Sequence, residues 1–400
     1  MKNRCLVLCV TTLALFSCAD KTLEPINGSL GMPGVVTELE TTRIPGGAIV
    51  SYRIPDAADL LLVKAVYTIT NGQKREATAS YYDNHLVLEG FSDTLPHEAL
   101  IYSISRAQTL SEPVPVTFRP LESSLAKAAK TVRIFEDFGG AAFAWKNEDG
   151  APLTFDFQTT DARGEWQTAT IIQSSADSAE RTIRGYLPEP RKFRLVVSDN
   201  WDNQIAVLPD SVITPLREER LDKDSMSFMH LDNDTYMDAW GGRDIFMIDD
   251  DVNTMSVTYE GIYPLFTIDL GKKAKLSRLV VHQRLYDGKY YNQANVRLFS
   301  VWHPTVETPS QTGAWSDWVK AMDCECIKPS GIPFGGDAAT VIDYTNEDMK
   351  VAQAGHNYNF PRDMEPVRYV RIYVENRAAI WGPWSPYGQF AELTFYGLYE

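Results

Sequence analysis

From about residue 34 to the C-terminus, hydrophobic and polar positions alternate in short runs; they do not recur every three or four residues. Residues 48–54 alternate as a half-buried strand does. Residues 61–70 are rich in Val, Ile and Tyr and run into Asn71-Gly72, a tight hairpin turn. Residues 86–91, 100–104 and 193–197 repeat the pattern, and Asp149-Gly150 offers a second turn. Near the C-terminus, residues 264–271, 275–281, 367–374 and 391–397 read as further strands. Helical periodicity is confined to a short Ala/Lys-rich piece at 125–130. The pattern predicts an all-β chain.

Self-comparison divides the first half. The segment Pro45-Gly46-Gly47-Ala48-Ile49-Val50-Ser51-Tyr52 matches Phe138-Gly139-Gly140-Ala141-Ala142-Phe143-Ala144-Trp145, with Gly46 and Gly139 separated by 93 residues. Leu88-Glu89-Gly90-Phe91 matches Ile183-Arg184-Gly185-Tyr186, with Gly90 and Gly185 separated by 95. Two matches at nearly equal offset predict a duplicated domain, too long for a solenoid repeat. The strand order within each copy resembles a fibronectin type III domain over residues 34–120 and 121–222. Trp145, Trp166 and Trp201 are expected to pack in cores or on sheet faces.

The N-terminus carries different information. Met1-Lys2-Asn3-Arg4 is basic, and the apolar run 5–16 is too short to span a bilayer. Leu15-Phe16-Ser17-Cys18 resembles the bacterial lipoprotein signal motif. That resemblance implies removal of residues 1–17 and lipidation of Cys18, whose several acyl chains would hold the chain on a membrane. Residues 18–33 read as a Pro/Gly-containing tether. Of the five cysteines only Cys324 and Cys326 remain after Cys18. Their spacing puts both on one strand face and points to a structural role.

From about Ser225 the texture changes. Met247-Ile248-Asp249-Asp250-Asp251-Val252-Asn253-Thr254 precedes Ile268-Asp269-Leu270-Gly271, Arg368-Tyr369-Val370-Arg371-Ile372 and Ala391-Glu392-Leu393-Thr394-Phe395-Tyr396-Gly397. In this order they resemble the discoidin, or factor V/VIII type C, family. The expected architecture is therefore three β-sandwich domains: two fibronectin type III-like domains, then a discoidin-like jelly roll over 223–400. By the same resemblance, Asp249, Asp251, Thr254 and Glu392 would hold a structural Ca²⁺. The donor types suit a hard cation, although Asp250 stands where the family has glycine; the alternative is a solvated acidic turn. The run 232–238 looks like the start of an EF-hand, but Met237 and Arg243 occupy positions that need Gly and Glu, so that reading fails.

Charge narrows the partners. With 38 Lys+Arg against 53 Asp+Glu, the net charge is −15, which excludes a broad nucleic-acid-binding surface. Aromatics make up 11% of the chain, enough to serve binding as well as packing. A sugar needs an aromatic plate for its C–H face and polar groups for its hydroxyls. The loop 380–389 supplies Trp381, Trp384 and Tyr387, preceded by Arg377; a second stretch supplies His282 and Arg284, and Trp240-Gly241-Gly242-Arg243 is a third. Trp381 and Trp384 could equally plug the core, and Trp315 and Trp318 are expected to pack. No nucleophile elbow, zinc-hydrolase motif or phosphate loop is present in the sequence, so no enzyme is expected.

The whole resembles the accessory lipoproteins of starch-utilisation-type uptake systems in Bacteroidetes. That resemblance implies a lipid-anchored, cell-surface protein of the outer membrane that binds a polysaccharide or oligosaccharide without transforming it. The alternative is an adhesive or structural protein that contacts another protein of the uptake machinery.

Overall fold

A computed structural model describes residues 31–56, 58–285, 288–336, 341–382 and 386–400. The signal segment, Cys18, most of the tether and Trp384 lie outside the described residues. The chain is all-β, built of sandwich-like antiparallel sheets, with two short α-helices among the described residues. It divides into two compact units. One takes residues up to Arg133 with Phe143–Arg181 and Arg194–Pro209. The other takes Ile134–Ala142, Thr182–Phe193 and Asp210–Glu400.

The first unit opens with a three-stranded sheet of Thr37–Ile44, Gly47–Arg53 and His85–Glu89. A four-stranded sheet follows, ordered Lys74–Ser80, Leu60–Thr68, His97–Ser105, Val114–Phe118. Alternation sends Ala48, Val50 and Tyr52 into the same core as Val63, Ala65 and Tyr67. The Asn71-Gly72 turn forms as predicted: Gly72 has φ +85°, and Ile69 N–H donates to Gln73 O at 3.0 Å. The helical piece is an α-helix, Ser124–Thr131, capped by Ser123 Oγ, which accepts from Ala126 N–H. A second four-stranded sheet orders Trp166–Ser174, Leu153–Thr160, Phe193–Ser198 and Gln204–Val207. Trp145 stacks on Phe155 at 4.4 Å, and Phe143 meets Phe157 edge-on at 5.0 Å.

The repeated glycines have a steric cause, and the two repeat matches explain each other. Gly46 and Gly139 sit at φ +64° and +66°. A Cβ on Gly47 would stand 2.1 Å from Leu88 O, and one on Gly140 would stand 1.7 Å from Ile183 O. Leu88 and Ile183 are the residues that open the second matching segment. One repeated motif is thus the close neighbour of the other.

The second unit centres on a sheet ordered Glu219–Arg220, Glu392–Tyr399, Leu265–His282, Val367–Tyr373, Leu298–Pro304, Trp318–Glu325. The segments 264–271 and 275–281 are one 18-residue strand, not two. Its register shifts between Asp269 and Ala274, where Gly271 takes φ +80°. Before the shift it pairs with Val367–Tyr373, and beyond it with Glu392–Tyr399. The short pair Ser256–Val257 and Gln389–Phe390 closes the other side of the core, where Phe390 meets Phe266 and Phe299 edge-on. Cys324 and Cys326 are free thiols in this core, and Tyr358 O–H donates to Cys326 Sγ at 3.3 Å. Burial pushes the Cys326 thiol up to about 11, so it is an inert packing group.

Candidate functional site

Trp381 is held by its backbone. Its N–H donates to Asn295 O at 2.9 Å, and its carbonyl accepts from Ala294 N–H at 3.1 Å. The partner loop carries Tyr291, Gln293 and Ala294 at positive φ, a strained conformation of the kind found at functional loops. The indole meets Tyr291 edge-on at 5.5 Å. The Arg297 guanidinium and Lys328 ammonium stand 5.2 and 5.6 Å from its ring centroid. Trp381, Arg297 and Lys328 wall a hollow of about 600 Å³, to which Glu325, Ile332 and Phe334 also contribute. Arg297 pairs with Glu325 at 2.9 Å. Lys328 Nζ donates to Asp343 O at 2.6 Å and Ile332 O at 3.1 Å, and burial lowers its pKa. Trp381 Nε1 is buried without an acceptor among the described residues. Arg377 is exposed on the 3-10 turn Arg377–Ala379, whose Ala378 lines the same hollow.

Tyr387 belongs to a different cluster. Its ring centroid is 4.6 Å from that of Trp240, which lies 6.4 Å from Tyr259. Trp240 and Tyr259 are 60% and 52% exposed. Trp240 sits at φ +50°, ψ +35°, the left-handed region, where a bulky residue is an outlier. Arg284 Nη1 donates to Met255 Sδ at 2.8 Å, and the Arg284 N–H donates to Asn295 Oδ1 at 2.9 Å. His282 lies apart, half-buried beside Gly355 and opposite Glu392 on the neighbouring strand. Burial first, and then Lys223, lower its pKa. Of the sequence-derived ligand residues, Trp381 and Arg377 share one hollow and its rim, and Tyr387 sits at the Trp240 cluster.

The expected calcium donors do not fit a divalent cation. Asp249 Oδ1 accepts from Asp251 N–H at 3.0 Å and from Thr254 Oγ1 at 3.2 Å, and Asp251 Oδ1 accepts from Asn253 Nδ2 at 2.7 Å. Glu392 is taken by the ammonium of buried Lys223, which also reaches Asp250 Oδ1 at 2.8 Å. A second cation beside that ammonium would meet direct repulsion. Asp250, the departure from glycine, keeps a left-handed φ of +67° and spends its carboxylate on Lys223 and Arg220. The Arg220 bond holds Asp250 down at about 2, while burial pushes Glu392 up to about 7. Among the described residues no group of three or more His, Cys, Asp and Glu could hold a metal ion.

Sequence reasoning missed Lys223, Arg297, Glu325 and Lys328, none of which stands in a motif. Trp318 is buried, and Trp315, 39% exposed, packs edge-on against Trp302 and Tyr373.

Comparison with known proteins gives families without assigned activity. Residues 33–120, 121–224 and 248–397 each match a model described as a domain of unknown function: DUF4959, DUF5126 and DUF5000 in that order. Among solved structures, a SusE-like protein is 29% identical; the match covers 69% of this chain and all of that chain, at a TM-score of 0.43. A two-domain fibronectin type III segment of chicken tenascin is 10% identical, with 44% of this chain and 98% of that chain covered, at a TM-score of 0.23. No curated protein matches. Among the described residues no helix is long and apolar enough to cross a membrane.

Proposed function

We propose that the protein is a surface lipoprotein, anchored through Cys18 in the outer membrane, whose C-terminal unit binds a glycan without transforming it. The observation that carries this reading is the Trp381 hollow. A fixed indole forms part of the wall, and Arg297, Glu325 and Lys328 stand beside it. A pyranose ring offers apolar C–H faces and polar edges, and this wall offers both complements. The hollow's volume is in the range of small-ligand sites. Arg297 is already paired with Glu325, and Lys328 is tied to the carbonyls of Asp343 and Ile332, which reduces the ordering cost of capture.

The test is affinity gel electrophoresis of the chain from residue 18 in a panel of soluble polysaccharides: amylopectin, arabinoxylan, galactomannan and rhamnogalacturonan. At least one should retard the native protein. Trp381→Ala should weaken binding at least about tenfold, and Trp381→Phe should restore much of it. No retardation by any member, with an intact melting curve, rejects the reading. A stoichiometric outer-membrane protein partner in the same preparation would then favour adhesion.

A further inference from the structure

A second aromatic hollow lies along the same strands. In Leu298–Pro304, Phe299 and Val301 enter the core, which turns Leu298, Ser300 and Trp302 to the other face. There Trp302 and Tyr373 border a hollow of about 510 Å³, with Lys320, Asp323 and Asn376 on its walls. Trp315 meets Trp302 at 4.9 Å and Tyr373 at 5.4 Å, both edge-on.

These rings are braced from below. Arg371 is wholly buried with its guanidinium 4.8 Å from the Trp315 ring. It donates to Asp234 Oδ1 at 2.7 Å and to Gly313 O at 2.9 Å. Trp302 Nε1 donates to Ser300 Oγ at 2.8 Å. Lys320 and Asp323 form an exposed ion pair at 3.0 Å, with Lys320 Nζ 5.7 Å from the Trp302 ring. Trp315, partly exposed over the buried guanidinium, backs Trp302, and Trp302 in turn faces the hollow edged by Lys320 and Asp323, which is unlike a core. It offers a plate and hydrogen-bonding groups together, as the Trp381 hollow does.

The two hollows share a wall. Ala378 lines both, so they lie on either side of the turn Arg377–Ala379, with exposed Arg377 on that turn. We propose that the Trp302 hollow is a second glycan subsite and that the ligand is an extended polysaccharide chain passing over this turn from the Trp381 hollow. The inference rests on the proposed function and adds the length of ligand that the unit recognises. A chain held at one hollow meets the other at high effective concentration, so the two contributions multiply for a polymer and not for a short fragment.

The experiment compares the polysaccharide that retards the native protein with its own disaccharide, by gel retardation and calorimetry. Trp302→Ala should weaken polymer binding at least about tenfold and leave disaccharide binding at the Trp381 hollow within about twofold. Trp315→Gln, at a partly exposed position, gives the same readout should Trp302→Ala melt early. Polymer binding unchanged in both variants, while Trp381→Ala still weakens it, overturns the extended site and leaves the glycan reading standing. A native protein that binds no member of the panel overturns both.

Discussion

The two units differ in the charge they bury. In the first, Trp145, Phe143, Phe155 and Phe157 are turned fully inward, Tyr82 is exposed, and among the described residues no lysine or arginine is buried. In the second, Lys223, Lys289, Lys328 and Arg371 are buried, while Trp240, Tyr259 and Trp315 stand partly in water. Arg371 backs Trp315, and Lys328 lies against Trp381. Buried cations are costly unless paired. Arg371 and Lys328 are paired and stand against the Trp315 and Trp381 rings, while Lys223 and Lys289 pair with Glu392 and Asp343. The first unit is held by an apolar interior alone; in the second, two of the partly exposed rings have a buried cation beside them.

The largest effect should come from the apolar interior of the first unit. Trp145→Ala removes a ring packed between Phe155 and Phe157. It should cost about 3–5 kcal/mol of stability, read as a lower denaturant midpoint. Glycan retardation measured well below the melting temperature should not change. Loss of binding in the folded variant would break the division between the first unit's apolar interior and the second unit's cation-braced rings.

Next comes the charge bracing itself. Lys223→Met leaves Glu392 buried without its cation and should cost about 3 kcal/mol. The adjoining Glu392→Gln change should recover most of that loss, because it removes the uncompensated carboxylate. Millimolar calcium or EDTA should leave the melting temperature of the native protein unchanged, since the Lys223 ammonium already pairs with Glu392 and local N–H and O–H groups already bond Asp249 and Asp251. A calcium-dependent rise in melting temperature would place a divalent ion where Lys223 now stands, and would return Asp249, Asp251, Thr254 and Glu392 to the role their motif implies.

How much of this could be read from the sequence follows the same division. Strands of the first unit declare themselves because one face is buried and the other wet, and the Gly-Gly pairs mark where neighbouring strands touch. The C-terminal strands were equally visible, but the join of 264–271 to 275–281 was not, because a bulge breaks the alternation at Gly271. Trp381 was legible as an aromatic in a Pro/Gly-rich loop. Its polar neighbours were not: Arg297 and Glu325 meet through strand pairing, and Lys223 reaches Glu392 across 169 residues. Charged pairs made at such range leave no local pattern.

The smallest expected effect tests whether display has a cost in stability. Trp240 pays for a left-handed backbone that glycine adopts freely, a penalty of about 1–2 kcal/mol for an ordinary residue. Its ring is mostly exposed and meets Tyr387 and Tyr259 at tilted angles, so little burial offsets the strain. Trp240→Gly should therefore raise stability by about 1 kcal/mol, measured as a higher denaturant midpoint with an unchanged slope. If the conformation is kept for the plate it presents, the same variant should bind polysaccharide more weakly. A stabilised variant with full binding would remove Trp240 from the recognition surface, and the strain would then have no functional account. A destabilised variant would show that the ring is a packing residue after all, and that the second unit is closer to the first than its exposed aromatics suggest.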